Sequence, residues 1–450
     1  MSAIALIAAP RLLNVALGPD GFLTTETDGS RLKAGTTWVV GSRPADTCHG
    51  KFRDGAEAQD AIGDDKGKAF EGEDLMNEAT RIPPAVELGA SGEEFQNLHE
   101  FVRKARANLN QNCWDYIVGA AETETTMRRN RMALDEIAFR PRVLRNVTKV
   151  DPSVELFGRK LRLPVVLAPV GALELFDPGA AASVARGVGS FGAAHMLSSV
   201  SEPGLEKTAE AAPDALRMYQ LYVRGGDAYV EDCVNRATAC GYSAFCLTVD
   251  TAHYSRRERD IAKRYVRASR VRATGGDFQK GLEWRTVKLI KDKFKIPLVI
   301  KGIATAEDAA IALDHGVDWI YVSNHGGRQL DHGRGAMQVL PEVVAAVAGR
   351  AKIMVDGSFC RGTDIVKAIA SGADLVGIGR LQCWALAAKG EAGIVRMLEL
   401  LEDEVIRCLG LLGLTSFAEL DKSYLHAASP TNLPSVFSAF PLLEIEPYRY

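Results

Sequence analysis

Trp319-Ile320-Tyr321-Val322-Ser323-Asn324-His325-Gly326-Gly327-Arg328-Gln329-Leu330-Asp331 is the stretch on which the reading of this chain turns. Four apolar residues run into a polar segment, and a Gly-Gly pair stops the run. The pattern predicts a buried strand that ends in a loop. His325 and Arg328 stand three apart just past that strand end. A neutral imidazole can take a proton near neutral pH, and a guanidinium can hold a carboxylate or oxyanion at two points. Taken alone, a His-x-x-Arg is more often a loop histidine beside a surface arginine, so the surroundings must decide.

Outward from this stretch the same arrangement recurs. Short apolar runs lie at Val165–Ala168, Gly192–Leu197, Met218–Leu221, Ala244–Val249, Leu298–Ile300, Trp319–Val322, Lys352–Val355 and Leu375–Ile378. Helical patterns separate several of them, among them Asp227–Thr238, Ala306–His315, Pro341–Val347 and Gly362–Ala370. Eight strand–helix repeats predict an α/β fold, a closed (β/α)8 TIM barrel, rather than an open sheet. Polar residues fall at strand ends one after another: Ser198, Gln220 and Tyr222, Thr248 and Asp250, Lys301, His325, Asp356, Arg380. The C-terminal face is where such barrels place their sites. The last two repeats add glycine-rich turns, Asp356-Gly357-Ser358 before a helix and Gly377-Ile378-Gly379-Arg380. Backbone N–H groups, a helix terminus and Arg380 would suit a phosphate there. This feature fits many barrel enzymes, aldolases and isomerases included.

The 450 residues leave room for more than the barrel, which is expected over residues 94–420. Residues 1–93 read as an extension of small β character: turn signals at Gly18-Pro19-Asp20-Gly21 and Asp28-Gly29, a candidate strand at Thr37–Val40, then a Gly-, Asp- and Glu-rich stretch. Residues 421–450 read as a wrapping tail whose Phe437, Phe440, Leu442 and Leu443 pack on the core or on a neighbouring subunit. After the barrel, Ile394, Met397, Leu398, Leu401 and Val405 have helical spacing. A net charge of −3 argues against a nucleic-acid-binding surface over the whole chain. Eight scattered cysteines without metal-ligand spacing fit a reduced, cytoplasmic protein with no metal site, and Cys48-His49 has no partner ligands at useful spacing. The apolar start is too short to span a bilayer. Residues 256–295 hold 14 Lys or Arg against 5 Asp or Glu. That stretch is read as a solvated face or a contact to the acidic N-terminal region, not as a membrane segment.

With these residues in view, the chain resembles the FMN-dependent 2-hydroxy-acid oxidases and dehydrogenases, over roughly Leu98 to Leu420. The resemblance rests on the unbroken Ser323–Asp331 signature and on Arg140–Val147, Leu197-Ser198-Ser199, Gln220-Leu221-Tyr222, Leu247–Thr251, Arg256–Ile261 and Lys301-Gly302. It implies FMN as cofactor and a 2-hydroxy acid as substrate. It implies His325 as the base and Asp250 as its acidic partner, Arg257 and Arg328 as the carboxylate clamp, Tyr116 as a further donor, and Tyr222 at the substrate hydroxyl. Lys301 would sit at the flavin N1–C2 edge. Ser198, Gln220, Thr248, Ser323 and the Pro169-Val170-Gly171 backbone would lie along the ring, with Asp356, Gly357 and Ser358 on the ribityl side and Gly379 and Arg380 at the phosphate. The resemblance further implies a homo-oligomer, a tetramer, with oxygen or another acceptor as second substrate.

Three positions depart from the family pattern. Cys360 stands where the family has a phosphate-binding arginine, and Arg361 is expected to compensate. Val200 and Gly171 replace larger residues beside the ring, which predicts a preference for bulky or aromatic 2-hydroxy acids. Oxidase, lactate-monooxygenase-like decarboxylation and mandelate-dehydrogenase-like chemistry remain open, with oxygen the expected acceptor because no haem domain is present. A flavin-free phosphate-binding barrel is the reading from another class.

Overall fold

The computed structural model describes residues 94–266 and 276–443, and two short strands before them. The chain divides into Met1–Ala85 and Val86–Tyr450. In the first unit Val15–Leu17 pairs antiparallel with Leu23–Thr25, a hairpin about the first turn signal. The candidate strand at Thr37–Val40, the polar stretch behind it and Cys48-His49 lie outside the described residues.

The second unit is a closed barrel of eight parallel strands: β1 (Val165–Leu167), β2 (Ala194–Ser198), β3 (Leu216–Leu221), β4 (Ala244–Thr248), β5 (Leu298–Ile303), β6 (Trp319–Val322), β7 (Lys352–Asp356) and β8 (Leu375–Ile378). Each pairs with its sequence neighbour, and β8 closes on β1 through Val376 opposite Val165. The strands are continuous apolar runs because both faces are covered, by helices outside and by packed side chains within. Met196, Met218, Cys246, Val299, Tyr321 and Met354 fill the lumen and are fully buried. At the N-terminal end a hairpin of Val154–Leu156 and Arg159–Leu161 lays Phe157 on Trp319, ring centres 5.6 Å apart, and floors the barrel. The opposite, C-terminal end is left for chemistry.

Among the described residues, three helices precede the barrel: α1 (Leu98–Asn108), α2 (Gln111–Val118) and α3 (Thr125–Asp135). Asn97 caps α1 by accepting from His99 N, and Asn110 caps α2 by accepting from Cys113 N. The stripe Leu98, Phe101, Val102 and Ala105 is buried, as its spacing predicts. Among the helices between strands are α4 (Asp227–Ala239), α5 (Gly276–Lys280), α6 (Trp284–Lys293), α7 (Ala306–Asp314), α8 (Ala336–Val347) and α9 (Gly362–Ala370). α8 starts five residues before Pro341, where the sequence reading began it. Gln338 accepts from Gly335 N and caps a turn that the proline had obscured. α10 (Arg380–Leu412) is broken at Lys389-Gly390, and its Ile394, Met397, Leu398, Leu401 and Val405 are fully buried.

The described tail turns inward onto its own barrel. Phe437 stacks between Trp114 of α2 and Trp384 of α10, at 5.7 and 5.9 Å. Phe440 is fully buried edge-on to Trp384 and His99. Of the basic stretch, the described Arg285 pairs with Asp227, Lys293 with Glu231, Lys291 with Asp318, and Arg259 with Glu124. The Arg285, Lys293 and Arg259 side chains are exposed, in keeping with a solvated face.

Candidate active site

Beyond β6, the loop carries His325 at φ 60° into the barrel mouth. Gly326 and Gly327 follow at φ 66° and 76°, and a side chain at Gly327 would strike the α3 backbone, 2.5 Å from Met127 N. The signature's glycines thus let the loop lie against α3. Its polar residues divide into two groups. Asn324 exchanges hydrogen bonds with Asn130 of α3, and Asp331 accepts from Thr126 N and Thr123 Oγ1. Those contacts moor the loop and hold the Asp331 carboxyl down to about 2, against the opposing effect of burial. His325 and Arg328 are left to face the cavity.

His325 Nδ1 lies 3.1 Å from Asp250 Oδ1, and its Nε2 lies 3.2 Å from the Tyr222 hydroxyl. The Asp250 contact assigns the proton to Nδ1 and leaves Nε2 as the acceptor. Burial, then the Lys301 charge, holds the imidazole below its ordinary value, while Asp250 pulls the other way. Burial and Lys301 together outweigh Asp250, which favours the neutral imidazole at rest. Burial disfavours the Asp250 carboxylate, yet Lys301 and His325 keep it below the usual carboxylate range. Burial and then Asp250 push the Tyr222 phenol up, so it stays a donor.

Arg257, Arg328 and Tyr116 line the same cavity. Arg328 donates through Nη1 to the carbonyls of Tyr116 and Gly119, both at 2.6 Å, and lies over the Tyr116 ring. Arg257 is buried over the ring of Tyr254, with its Nε lacking a protein partner. Tyr116 donates to the carbonyl of Gly171 at 3.1 Å and stacks on Phe176.

On the ring side, Lys301 Nζ donates to Ser323 Oγ at 3.0 Å, and Ser323 Oγ donates to Asp356 Oδ1 at 2.7 Å. Burial opposes the ammonium, but Asp250 and Asp356 raise its pKa above the usual lysine value, so it remains charged. Gln220 and Thr248 end β3 and β4 fully buried, and Gln220 Nε2 and Oε1 and Thr248 Oγ1 have no protein partner. Each such orphan costs about 1–3 kcal/mol unless a ligand meets it. Ser198 Oγ accepts a long bond from Val200 N, and Pro169, Val170 and Gly171 form the adjacent wall. Donors and acceptors from four successive strand ends, beside a buried ammonium, fit a flat heterocycle with polar edges.

At the far end Gly357 and Ser358 turn at φ 123° and 64° and line the cavity with Gly379 and Arg380. Arg380 donates to the carbonyls of Ile117, Gly326 and Gly119, and burial brings its pKa down to about 10. A buried guanidinium resting on carbonyl oxygens is a fitting seat for a phosphate. Two expectations fail here. Arg361 does not reach the cavity: it pairs with Glu404 of α10, Nη2 to Oε1 at 2.6 Å, and donates to Ala439 O. Nor is the start of α9 open to an anion. Asp364 accepts from Cys360 N and Arg361 N, and Glu404 accepts from Gly362 N. Cys360 itself is buried at the cavity wall, its thiol pushed up to about 12 by burial.

The cavity has a volume of about 460 Å³. Among the lining residues that escaped the sequence reading are Tyr254, Arg224, Gln279 and Val436. Gln279 of α5 accepts from Val223 N and donates to the carbonyl of Thr248, bridging the ends of β3 and β4. The departures at Gly171 and Val200 are also not independent. A Cβ at Gly171 would lie 2.7 Å from Val200 Cγ2, so the valine takes the space that the glycine vacates.

Fold and site together describe an eight-stranded barrel whose C-terminal mouth brings His325, Asp250, Tyr222, Arg257 and Arg328 to one cavity. The profile for FMN-dependent dehydrogenase matches residues 105–427. Glycolate oxidase of Spinacia oleracea is 35% identical over 356 residues, covering 74% of this chain and 96% of its own length. L-lactate oxidase of a Nostoc strain is 34% identical, covering 73% and 98%. The crystal structure of a mandelate oxidase with 3,3-difluoro-2-hydroxy-3-phenylpropionic acid superposes with a TM-score of 0.70 at 35% identity, covering 75% of this chain and all of that one. The chain belongs to the FMN-dependent dehydrogenase family, and FMN is its cofactor.

Proposed function

We propose that this protein oxidises an L-2-hydroxy acid with a bulky or aromatic side chain to the 2-oxo acid, with molecular oxygen as the acceptor. The observation that carries the reading is His325 held between Asp250 and Tyr222 in a cavity that also presents Arg257 and Arg328. Arg257 and Arg328 bind the substrate carboxylate, supported by Tyr116. Tyr222 holds the 2-hydroxyl, and His325 Nε2 takes the substrate proton while Asp250 fixes the ring and stabilises the imidazolium that forms. FMN, when bound, supplies the two-electron acceptor, and the Lys301 ammonium would offset negative charge developing at its N1–C2 edge. Arg380 is assigned to its phosphate, Gly379 to the adjoining turn, Asp356, Gly357 and Ser358 to the ribityl side, and Ser198, Gln220, Thr248 and Ser323 to the ring system.

The side-chain preference rests on the walls. Val170, Val200 and the ring of Tyr254 line the cavity beside the clamp and offer apolar contact, worth roughly 0.8 kcal/mol per buried methylene. The test is a panel of glycolate, lactate, 2-hydroxyisocaproate and mandelate, each mixed anaerobically with the yellow protein and then with oxygen. Bleaching should be fastest with mandelate or 2-hydroxyisocaproate, and reoxidation should release peroxide. Faster reduction by glycolate than by mandelate overturns the pocket argument. Carbon dioxide in place of peroxide assigns oxidative decarboxylation, and negligible oxygen uptake assigns another acceptor.

We further propose a homo-oligomer, a tetramer. Val143, Leu144 and Leu411 are 79%, 102% and 79% exposed, on neighbouring segments tied by Arg142 N to Leu412 O. Such apolar groups on ordered backbone suit a subunit contact, and sedimentation measures the assembly directly. The seven described cysteines are free, which supports a reducing compartment such as the cytoplasm. Among the described residues, no helix is long and apolar enough to cross a membrane.

A further inference from the structure

We infer that the C-terminal tail is part of the cofactor site, with Val436 closing the cavity at its phosphate end. The inference rests on the assignment of Arg380 to the FMN phosphate made above. Val436 lines the same cavity as Cys360 and Arg380, although it lies more than fifty residues beyond either in sequence. Its neighbours show which end it covers. Phe437 stacks on Trp384, one helical turn along α10 from Arg380. It stacks also on Trp114 of α2, three residues before Ile117, whose carbonyl accepts from Arg380 Nε. Two residues on, Ala439 O accepts from Arg361 Nη1.

The turn that presents Val436 is self-contained. Phe437 N donates to Ser435 Oγ, Ser435 N to Ser438 Oγ, and Ser438 Oγ to Ser435 O. The stacked Phe437 fixes the backbone just after Val436, and the hydrogen-bonded Ser435–Ser438 turn encloses Val436, which together hold its side chain at the wall. The arrangement also gives Arg361 a use. Turned away from the cavity by Glu404, it reaches the tail instead. At this end the chain has a small thiol at position 360 and a strap across the opening, and retention of the cofactor passes in part to the strap.

Deleting residues 431–450 would test this poorly, because it also removes the buried Phe440. Charge placed at Val436 is the cleaner probe, since that side chain is partly exposed in the described structure. Full-length apoprotein of the wild type, Val436→Asp and Val436→Lys would be titrated with FMN and with riboflavin, following quenching of flavin fluorescence. A carboxylate beside a phosphate dianion repels it and an ammonium attracts it. Val436→Asp should therefore weaken FMN binding tenfold or more, and Val436→Lys should leave it equal or tighter. Riboflavin, which lacks the phosphate, should change less than about twofold in either. FMN affinities that agree across the three proteins overturn the proposal, as do riboflavin affinities that move in parallel with FMN. Arg380→Gln in the same titration separates the two layers of the argument. If it leaves FMN binding unchanged, the phosphate assignment fails; if it weakens FMN and the Val436 pair does not, the tail alone is excluded.

Discussion

At the scale of the residue, His325 is set by opposed neighbours. Burial and Lys301 lower its proton affinity, and Asp250 raises it without winning. The side chain is thus in the basic form at neutral pH, and kcat/KM should be flat there. Its acid limb should fall at a pH below the ordinary imidazole value of about 6.5, because protonation of Nε2 removes the base. A limb above that value would contradict the electrostatics. Replacing His325 with Ala should leave FMN bound and slow flavin reduction by about 10²–10⁴-fold, read by rapid-mixing absorbance. At Cys360 the opposite experiment applies. Cys360→Arg puts a guanidinium at the cavity wall beside Arg380, and titration of stripped protein should show tighter FMN binding through a charge-assisted contact. Unchanged affinity would mean that the site beside Arg380 is already filled, with the tail the nearest candidate.

At the scale of the element, α3 and α9 are joined by one buried pair. Arg131 donates from Nη1 and Nη2 to both oxygens of Asp364, at 2.9 Å each, and also to Asp135. Removing one partner of such a pair strands the other, so Arg131→Met should destabilise the fold by about 3–5 kcal/mol, measured by chemical denaturation. This pair shows where sequence reading stops. The eight strands were legible because each is an apolar run bounded by polar residues, and His325, Asp250, Tyr222, Arg257 and Arg328 were legible because short motifs mark those strand ends. Arg361 was misassigned because its sequence position beside Cys360 says nothing of Glu404, forty-three residues away on another helix. Gln279, Tyr254 and Val436 carry no motif at all. They reach the cavity through loop, helix and tail packing, and only the folded chain brings them there.

At the scale of the whole molecule, two buried histidines predict a fold that loses stability in acid. Burial holds His195 of β2 down to about 3 and His99 of α1 down to about 4. Both are neutral in the fold and take protons more readily when unfolded. Their contribution to stability is therefore full above about pH 6.5 and is lost as pH falls towards those lower values. His99→Phe keeps a ring against Phe440 and removes one titrating group, so its melting temperature should fall less between pH 7 and pH 5 than that of the wild type. Equal losses would assign the acid sensitivity elsewhere. The filled lumen and the hairpin floor, with Phe157 laid on Trp319, carry a consequence of a different sort. Among the described residues, the end opposite the mouth is closed. Hydroxy acid, oxo acid and oxidant must use the same C-terminal mouth, so their visits have to take turns. A hydroxy acid that arrives before the oxidant stands in its way, and turnover should slow at high substrate concentration, the more so the larger the side chain that fills the doorway.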